Sequence, residues 1–558
     1  MSLLLNTADR LRKNAQAFPD QAAILEAVPR KRTSEGQLVF NETSFRELDD
    51  ESEQLAFGFR ELGVQPGDKL TLMVPYSARM LKLTFGIVKS GATVVLVDPG
   101  MGRTNILNCL EQVNPEGFIG IPIVQVARML NRRRFCNARF NVTVGKRWFW
   151  SGPTYDSVLK RGRESSLKPY ATNATDPAAI IFTSGSTGPP KGVLYEHGMF
   201  DAQIGMLQEH FQIKPGGIDL AAFPLFGLFN TGLGGTTVIP EMDPTRPADV
   251  DPALMVKTIE QLGVTQAFGS PAFWNRVGRY CEEHHLQFPT LRCALSAGAP
   301  VPVHVLKRVM KFFTQPEDDI FTPYGATESL PICSIGGREV LNETAQKTSR
   351  GAGTCVGKPL DRVQLKIIRL TDEPIANMDE IEELPTGEIG EIIVQAPTTT
   401  KEYFHHPEGT KQAKIKEGDI VWHRMGDTGY LDEQGRVWFC GRKAHRVLTE
   451  SGTLYTIPSE SILAEHPQVY RCALVGIGKP GEQVPVLIAE PEEGKFPQSL
   501  EGQQQLLREL QEIAAAHELT RSIKHFLLHE SLPVDTRHNV KIFREKLVPW
   551  AASQLKRS

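Results

Sequence analysis

Residues 180–192 read Ile-Ile-Phe-Thr-Ser-Gly-Ser-Thr-Gly-Pro-Pro-Lys-Gly, a loop rich in glycine and hydroxyl groups that ends in a lysine. Glycine lets the backbone adopt positive φ and approach a ligand closely, while hydroxyls and a lysine can donate to phosphate oxygens. Apolar runs flank the loop on both sides, from 178 to 182 and from 193 to 195. We therefore expect the loop to join two strands and to hold nucleotide phosphates through Thr183, Ser184, Gly185, Ser186, Thr187, Gly188 and Lys191.

The loop differs from the Walker A pattern in its glycine spacing and in lacking a helix immediately after the lysine. A loop of glycine and serine taken alone is usually a linker or a turn. A phosphate-binding function therefore needs support from other parts of the chain.

Length and composition indicate a large enzyme of several domains. The chain has 558 residues, of which 41% are hydrophobic, so two to four domains are expected. Helix-period and strand-like segments alternate along it, which predicts an α/β fold. The segment from Arg79 to Ser90 predicts a helix that leads into a strand at 93–97, and Gln503 to His517 predicts an amphipathic helix.

Charge and cysteine usage exclude some classes of protein. The 62 basic and 65 acidic residues nearly balance, so net charge gives no indication of a nucleic-acid partner. The eight cysteines stand singly without a Cys-x-x-Cys pair, which predicts reduced core thiols rather than a zinc site or disulfides. The first residues become polar too soon for a signal peptide, and no apolar run is long enough to span a membrane. We expect a cytoplasmic enzyme.

Four further segments, in a fixed order, resemble motifs of the acyl-adenylate-forming superfamily, which includes acyl-CoA synthetases, firefly luciferase and peptide-synthetase adenylation domains. They are Leu295 to Pro300, Tyr-Gly-Ala-Thr-Glu at 324–328, Gly-Asp-Thr-Gly-Tyr at 426–430 with Gly-Arg at 441–442, and Leu-Pro-Val-Asp at 532–535 continuing to Lys541 and Leu547. Together with the 180–192 loop they place the resemblance over about residues 20 to 550.

The resemblance implies ATP and Mg²⁺ as cofactors and a role for each matching residue. Gly298, Ala299 and Pro300 would lie along the adenine, the Tyr324 ring would stack on it beside Gly325, and Thr327 would meet a phosphate. Glu328 would hold Mg²⁺, which prefers hard oxygen ligands and keeps several waters. Asp427 would accept from the ribose hydroxyls, Arg442 would contact ribose and phosphate, and Lys541 would bridge the substrate carboxylate and the α-phosphate.

The resemblance also implies the domain organisation. A large multi-subdomain adenylation domain would cover residues 1–441, a hinge residues 442–446, and a small mobile α+β lid domain residues 447–558, with Lys541 on the lid. The usual Gly-Lys of the last motif is Val540-Lys541 here, and the loop before it is about two residues longer.

Departures from the common pattern bear on the second half of the reaction. Ala444 stands where acyl-CoA synthetases usually carry the Asp or Lys pivot of domain rotation, and Gly227 replaces the histidine of a Pro-Leu-Phe-His motif. Together with 236–248 and 537–539, the chain is most similar to the olefin β-lactone synthetases. That branch implies activation of a 2-alkyl-3-hydroxyalkanoic acid as an acyl-AMP, which closes to a β-lactone and releases AMP.

Several alternatives stay open from the sequence. A long-chain acyl-CoA synthetase or fatty acyl-AMP ligase would share the first half-reaction, and an AMP-holding scaffold would catalyse neither step. His197 and His445 are candidates for the base that deprotonates the 3-hydroxyl.

A basic segment, 128–147, runs into Trp148-Phe149-Trp150. A solvated basic face beside core aromatics is the favoured interpretation, with an anionic partner or a membrane surface as the alternative. The resemblance to the olefin pathway implies association with neighbouring condensing, reductase and lactone-processing enzymes, and docking through this segment, 128–150, is one form that the alternative would take.

Overall fold

A computed structural model of the protein describes residues 4–183, 189–534 and 542–556. Within these ranges the strands, in chain order, are β1 (Ala22–Arg32), β2 (Leu38–Ser44), β3 (Lys69–Met73), β4 (Thr93–Val97), β5 (Gly117–Gly120), β6 (Phe140–Thr143), β7 (Pro177–Thr183), β8 (Lys191–Glu196), β9 (Ile218–Ala221), β10 (Thr236–Ile239), β11 (Gln266–Gly269), β12 (Cys293–Ser296), β13 (Asp319–Phe321), β14 (Tyr324–Ala326), β15 (Ser329–Ser334), β16 (Thr354–Pro359), β17 (Gln364–Ile368), β18 (Gly390–Gln395), β19 (Lys414–Glu417), β20 (Ile420–Leu431), β21 (Val437–Arg442), β22 (Val447–Thr449), β23 (Gly452–Leu454), β24 (Val469–Ile477), β25 (Val484–Pro491) and β26 (His525–Leu528).

The helices in the same ranges are α1 (Asp9–Ala17), α2 (Phe45–Glu61), α3 (Ala78–Lys89), α4 (Arg103–Val113), α5 (Pro122–Leu130), α6 (Tyr155–Arg163), α7 (His197–His210), α8 (Pro224–Leu233), α9 (Pro252–Leu262), α10 (Pro271–Glu283), α11 (Val303–Val309), α12 (Gly337–Glu339), α13 (Ala345–Lys347), α14 (Pro407–Ala413), α15 (Thr456–Leu463), α16 (Leu500–Ala516) and α17 (Arg544–Leu555). In the described part of the chain, none of them is both long enough and apolar enough to cross a membrane.

Two mainly parallel sheets form the α/β part of the molecule. One has the strand order β6-β5-β3-β4-β7-β8 and the other β13-β12-β11-β9-β10-β1-β2. Parallel strands are covered by helices on both faces and are therefore mainly apolar, as the buried Val94 and Val95 of β4 illustrate. The predicted helix-to-strand unit is confirmed, because α3 begins after the Ser77 N-cap and leads into β4.

A third, antiparallel sheet has the order β14-β15-β16-β21-β20-β18-β17, with β19 paired to β20. It follows the seven-stranded sheet directly in the chain, since only Thr322 and Pro323 separate the end of β13 from the start of β14. Register partners on β20 and β21 bring Asp427 opposite Arg442. Because β14 carries Tyr324 and β20 carries Asp427, this sheet joins motifs that lie about a hundred residues apart in the sequence.

The C-terminal part has its own core. Strands β24, β25 and β26 form a three-stranded sheet against which α16 packs through Leu506, Leu510 and Ala514. The predicted amphipathic helix is confirmed, although it starts three residues earlier, at Leu500, because Ser499 supplies the N-cap. These elements and the two α/β sheets confirm the predicted fold class, a large α/β N-terminal domain followed by a smaller α+β domain.

Two expectations about surface and core are corrected. Cys136 is exposed, whereas the other seven cysteines are buried or half-buried and all eight are free thiols. Trp148 and Phe149 were expected in the core but are 54% and 79% exposed. They lie in a loop after the edge strand β6, where no helix covers them, and contact Trp150 through their rings.

Candidate active site

The glycine-rich loop joins two strands, as predicted. Strands β7 and β8 pair antiparallel, and the pair Thr183 and Lys191 closes the ladder at the loop. Lys191 is half-buried, with its Nζ 4.9 Å from the centre of the Tyr403 ring. Residues 184–188 and the Thr183 side chain lie outside the described residues, so their contact with phosphate stays a prediction.

Hydrogen bonds hold both the side chain and the backbone carbonyl of Glu328 in place. Its Oε1 accepts a hydrogen bond of 2.6 Å from the Tyr403 hydroxyl, and its carbonyl oxygen accepts from the Thr400 amide and hydroxyl at 2.9 and 3.1 Å. The carbonyl of the preceding Thr327 accepts from the Tyr195 hydroxyl. The half-buried carboxylate therefore has a fixed position close to the end of the phosphate loop.

This arrangement fits Mg²⁺ bound mainly by nucleotide phosphates and water. Among residues 4–183, 189–534 and 542–556 there is no group of three or more His, Cys, Asp or Glu that could enclose an ion. Mg²⁺ commonly uses only one or two carboxylates beside substrate phosphates. Glu328 is the residue of the described site that would supply one.

Lys414 and Tyr403 complete this part of the site, and the sequence motifs did not indicate either. Lys414 is 6% exposed, and its ammonium donates to the carbonyl and hydroxyl oxygens of Thr400, whose hydroxyl in turn donates to the Glu328 carbonyl. Burial lowers the pKa of Lys414 to about 7, although the charge of Glu328 opposes the change. A lysine beside apolar residues in a strand carries no sequence signal for such a role.

The buried Lys414 predicts a pH-dependent contribution to stability. An unfolded lysine keeps its proton to about pH 10.4, whereas the folded one loses it near its pKa of about 7. The unfolded state therefore binds more protons in this window, and the free energy of unfolding rises with pH. Relative to Lys414→Met, the wild type should gain up to about 2 kcal/mol between about pH 7 and pH 9.

Urea unfolding of both proteins at the two pH values measures this gain. Lys416→Met is the matched control, because Lys416 is exposed on the same strand β19. An equal pH dependence for the wild type and Lys414→Met would contradict the prediction.

The predicted ribose site is assembled by β14, β20 and β21. The Tyr324 hydroxyl donates to Asp427 Oδ2 at 2.6 Å, and Arg442 Nη1 lies 2.9 Å from Asp427 Oδ1. Burial raises the pKa of Asp427, while Arg442 and Tyr324 oppose that rise. Asp427 Oδ1 accepts no aligned hydrogen bond from the described residues, so it is available to a ribose hydroxyl.

Gly441 allows the small domain to approach this site. Its φ is +119°, and a Cβ at this position would lie 2.2 Å from the Thr456 hydroxyl of α15. A side chain here would separate β21 from the C-terminal elements.

The predicted adenine segment follows the end of β12. Gly298 has a φ of +93°, a conformation that favours glycine, and it is exposed together with Pro300. Strands β12 and β13 are parallel neighbours, so their carboxyl ends bring Gly298, Ala299 and Pro300 to the same edge as Tyr324 and Gly325. The backbone at this edge is accessible to a planar base.

Lys541 lies outside the described residues, but both ends of its loop are described. Val534 and Ile542 form an antiparallel bridge, and Arg544 pairs with the buried Glu460 at 2.6 Å. The predicted base His197 is buried at the start of α7, with its Nδ1 2.9 Å from the Thr7 hydroxyl, and burial lowers its pKa to about 4. The Nδ1 atom of His197 is therefore already in contact with Thr7 of the N-terminal segment.

Comparison with known proteins gives the chain its relatives. Residues 11–404 match the family described as AMP-binding enzyme. The chain is 45% identical to an olefin beta-lactone synthetase of Xanthomonas campestris pv. campestris and 44% identical to one of Stenotrophomonas maltophilia, with 99% of each chain covered in both cases. The anthranilate CoA ligase AuaEII in complex with anthranoyl-AMP has the same fold, with a TM-score of 0.77 and 20% identity over 100% of this chain and 99% of its own. This chain belongs to the AMP-binding enzyme family, in which the olefin beta-lactone synthetases are relatives along its whole length.

Proposed function

We propose that the protein is an AMP-forming ligase that converts a 2-alkyl-3-hydroxyalkanoic acid into a β-lactone at the expense of ATP. The observation that carries this proposal is the end-to-end identity of 45% and 44% to two proteins named olefin beta-lactone synthetase. The site of Tyr324, Glu328, Asp427 and Arg442 supports the nucleotide-dependent first step, because it offers partners for base, metal and ribose.

The first step forms the acyl-AMP. A carboxylate oxygen of the substrate bonds to the α-phosphorus of ATP, and the bond to the β-phosphate breaks to release pyrophosphate. Negative charge develops on phosphoryl oxygens, so Lys191 and Lys541 would act as cationic donors and the loop at 183–188 as a neutral one. Mg²⁺ held by Glu328 would neutralise charge on the departing phosphates.

The second step closes the ring. The 3-hydroxyl oxygen bonds to the acyl carbonyl carbon, its proton passes to a base, and the bond to AMP breaks. An internal hydroxyl reacts at a high effective concentration, which allows a strained four-membered ring to form from a more activated anhydride. A dry site is needed so that water does not hydrolyse the anhydride first.

We propose that residues 442–446 link domains 1–441 and 447–558 and that this link is anchored. Lys443 Nζ lies 3.0 Å from Glu391, a buried carboxylate that also pairs with Arg424. Arg446 lies 2.7 Å from Asp372. Ala444 between them has no polar side chain that could exchange partners during rotation, which supports a reaction without a CoA step.

Product analysis tests the proposed function. With a 3-hydroxy acid, ATP and Mg²⁺, the enzyme should release AMP, pyrophosphate and a β-lactone in equal amounts, as followed by NMR and mass spectrometry. Added CoA should change neither rate nor product, because the nucleophile is internal. A matched acid without the 3-hydroxyl should stop as bound acyl-AMP. Accumulation of an acyl-CoA as fast as ATP is consumed would instead support a long-chain acyl-CoA synthetase.

We propose that other enzymes of the same pathway dock on the segment 128–150. The two-chain substrate is poorly soluble, so direct transfer between enzymes would avoid its release into water. Arg132, Arg133 and Arg134 are exposed, and Leu130, Trp148 and Phe149 are 75%, 54% and 79% exposed. Exposed aromatic residues beside arginine are typical of interface centres.

A cytoplasmic location stays a prediction.

Co-purification from the native host tests this docking surface. Charge reversal of Arg132, Arg133 and Arg134 to glutamate should remove the partners from the purified protein. Reversal of Arg521 and Lys524, which are exposed on the C-terminal part, is the matched control and should leave them bound. Migration of the wild type as a lone protein at every salt concentration would contradict the proposal.

A further inference from the structure

A row of polar side chains crosses the seven-stranded sheet below α8. Asp219 of β9 is in register with Thr237 of β10 and with Gln266 of β11. Gln266 is in register with Cys293 of β12, and Cys293 with Asp319 of β13. Side chains in register on adjacent strands point to the same face, so all five face one side of a sheet that is otherwise apolar.

Asp219 and three residues around it contain buried polar atoms that form no well-aligned hydrogen bond. Asp219 is 2% exposed, Asn230 of α8 is fully buried, and Gln266 is 8% exposed. The atoms Asp219 Oδ1, Asn230 Oδ1 and Nδ2, Gln266 Nε2 and Tyr76 Oη form no well-aligned hydrogen bond in the described part of the chain, although the amides of Asn230 and Gln266 lie close enough to Asp219 to lower its pKa through hydrogen bonding. We refer to Tyr76, Asp219, Asn230 and Gln266 as the polar cluster.

Leaving such atoms unpaired in the interior costs free energy, because they lose hydrogen bonds to water without replacing them. Buried polar groups in native proteins are nearly always paired, and exceptions often mark a functional site. The unpaired Tyr76 hydroxyl and the poorly aligned contacts around Asp219 therefore leave hydrogen-bonding capacity for a ligand with polar groups of its own.

Tyr76 is brought into the cluster by the absence of a side chain at 227. A Cβ on Gly227 would lie 2.6 Å from the Tyr76 hydroxyl and 3.2 Å from Thr237 Cγ2. Burial, then the charges of Asp219 and Glu26, raise the pKa of Tyr76, so the phenol keeps its proton and can donate it in a hydrogen bond.

The electrostatic surroundings of Asp219 contain negative and neutral groups. Burial raises the pKa of Asp219 to about 7, although the amides of Asn230 and Gln266 oppose the rise. Burial and then the charges of Asp219, Asp319 and Asp318 raise the pKa of the Cys293 thiol on the neighbouring strand. No described cation forms an ion pair with Asp219, so its carboxylate is a stronger base than a surface aspartate.

An apolar group, formed by Phe268 and the hydrophobic residues that pack around it, lies between the polar cluster and the nucleotide site. Phe268 lies two residues beyond Gln266 on the same face of β11, and its ring stacks on Phe226 of α8 with centres 3.8 Å apart. Ala297 and Phe321 pack against the same group. Ala297 immediately precedes Gly298, and Phe321 lies three residues before Tyr324. An acyl group activated at the nucleotide site would therefore meet α8, the apolar group and Tyr76.

We propose that the polar cluster binds the secondary hydroxyl of the acyl substrate and that Asp219 accepts its proton during ring closure. Tyr76 donates a hydrogen bond to the same oxygen and stabilises its developing charge. The oxygen bonds to the acyl carbonyl carbon, the carbonyl bond to AMP breaks, and Asp219 becomes a neutral carboxylic acid until it returns the proton to water. The inference rests on the proposed function, in which the hydroxyl is the nucleophile.

Single-turnover measurements on Asp219→Asn test whether Asp219 accepts the proton of the hydroxyl. A general base contributes about 10² to 10⁴ in rate, so ring closure should slow at least about 100-fold relative to acyl-AMP formation, and acyl-AMP should accumulate. In the wild type, ring closure should rise with pH through about 7, the pKa of Asp219. The variant should lose this dependence, because an amide does not titrate.

Asp319→Asn is the matched control. Asp319 lies on the same row, but its carboxylate accepts from the backbone amides of Ile320 and Arg338, so ring closure should be unchanged. Ring closure by Asp219→Asn at the wild-type rate and with the wild-type pH dependence would overturn the proposal and leave the cluster as a site for buried water. Failure of the wild type to make any lactone would instead count against the proposed function.

Tyr76→Phe keeps the ring and so tests the cluster even if Asp219→Asn does not fold. It should slow ring closure at least about tenfold, since one hydrogen bond to a developing charge is lost, and a wild-type rate would overturn the role of the cluster.

The close approach of Gly227 to the Tyr76 hydroxyl gives a readout that does not depend on activity. Gly227→Ala should lower the melting temperature, and adding Tyr76→Phe should restore most of the loss, because it removes the atom 2.6 Å from the new Cβ.

Discussion

Replacing Glu328 by glutamine is expected to reduce adenylation at least about 100-fold, comparable to the loss of one preorganised electrostatic group in other enzymes. Glutamine has the same size and can still accept from the Tyr403 hydroxyl, which now holds Oε1 at 2.6 Å. It lacks the charge that makes a carboxylate a Mg²⁺ ligand. The loss should therefore come from metal binding and not from a displaced backbone.

ATP–pyrophosphate exchange measured over a range of Mg²⁺ concentrations separates these causes. For Glu328→Gln, the Mg²⁺ concentration needed for half-maximal exchange should increase, while thermal unfolding stays as in the wild type. Glu402→Gln is the matched control, since Glu402 is an exposed neighbour of Tyr403 in the same segment. Near wild-type exchange by Glu328→Gln at low Mg²⁺ would remove Glu328 from the metal site.

Replacing Lys541 by alanine is expected to have an effect of similar size, a loss of about 10² to 10³ in adenylation, as for removal of one oxyanion donor. Lys541 resembles the lysine that bridges the substrate carboxylate and the α-phosphate. It immediately precedes Ile542, which the bridge to Val534 and the Arg544–Glu460 pair hold against the small domain.

Lys546→Ala is the control for this substitution, because Lys546 is an exposed lysine five residues further on, whose ammonium lies 4.5 Å from the Phe543 ring. It should retain exchange activity. Circular dichroism should show that both variants are folded. A folded Lys541→Ala protein that consumes ATP at the wild-type rate would end the assignment.

Short motifs predicted the residues of the nucleotide site, and the structure brings several of them together; their contacts with a nucleotide stay predictions. Asp427 and Arg442 stand fifteen residues apart in the chain, and the structure places them as register partners on β20 and β21. Tyr324 could be assigned to the same site only through resemblance, yet its hydroxyl donates to Asp427. Motifs could indicate these residues because a phosphate, a ribose or a metal ion each demands particular side-chain chemistry at a given position.

Supporting residues were not predictable in this way. Lys414 contacts Thr400 and Tyr403 contacts Glu328, and neither a lysine in a strand nor a single tyrosine between elements has a distinctive local pattern. Trp148 and Phe149 were expected in the core, because an aromatic run resembles core sequence whether or not a partner covers it.

The sequence by itself determined the α/β class, the order of nucleotide-binding motifs and the helices whose apolar spacing and caps are local properties. Only the tertiary structure decided which side chains meet. Asp219, Gln266 and Tyr76 come from three separate segments, and their unpaired atoms converge because parallel strands in register direct side chains to one face beneath α8. Local sequence specifies an element through its own backbone and solvent, whereas burial, pKa and contact depend on neighbours that strand register and helix packing bring together from distant parts of the chain.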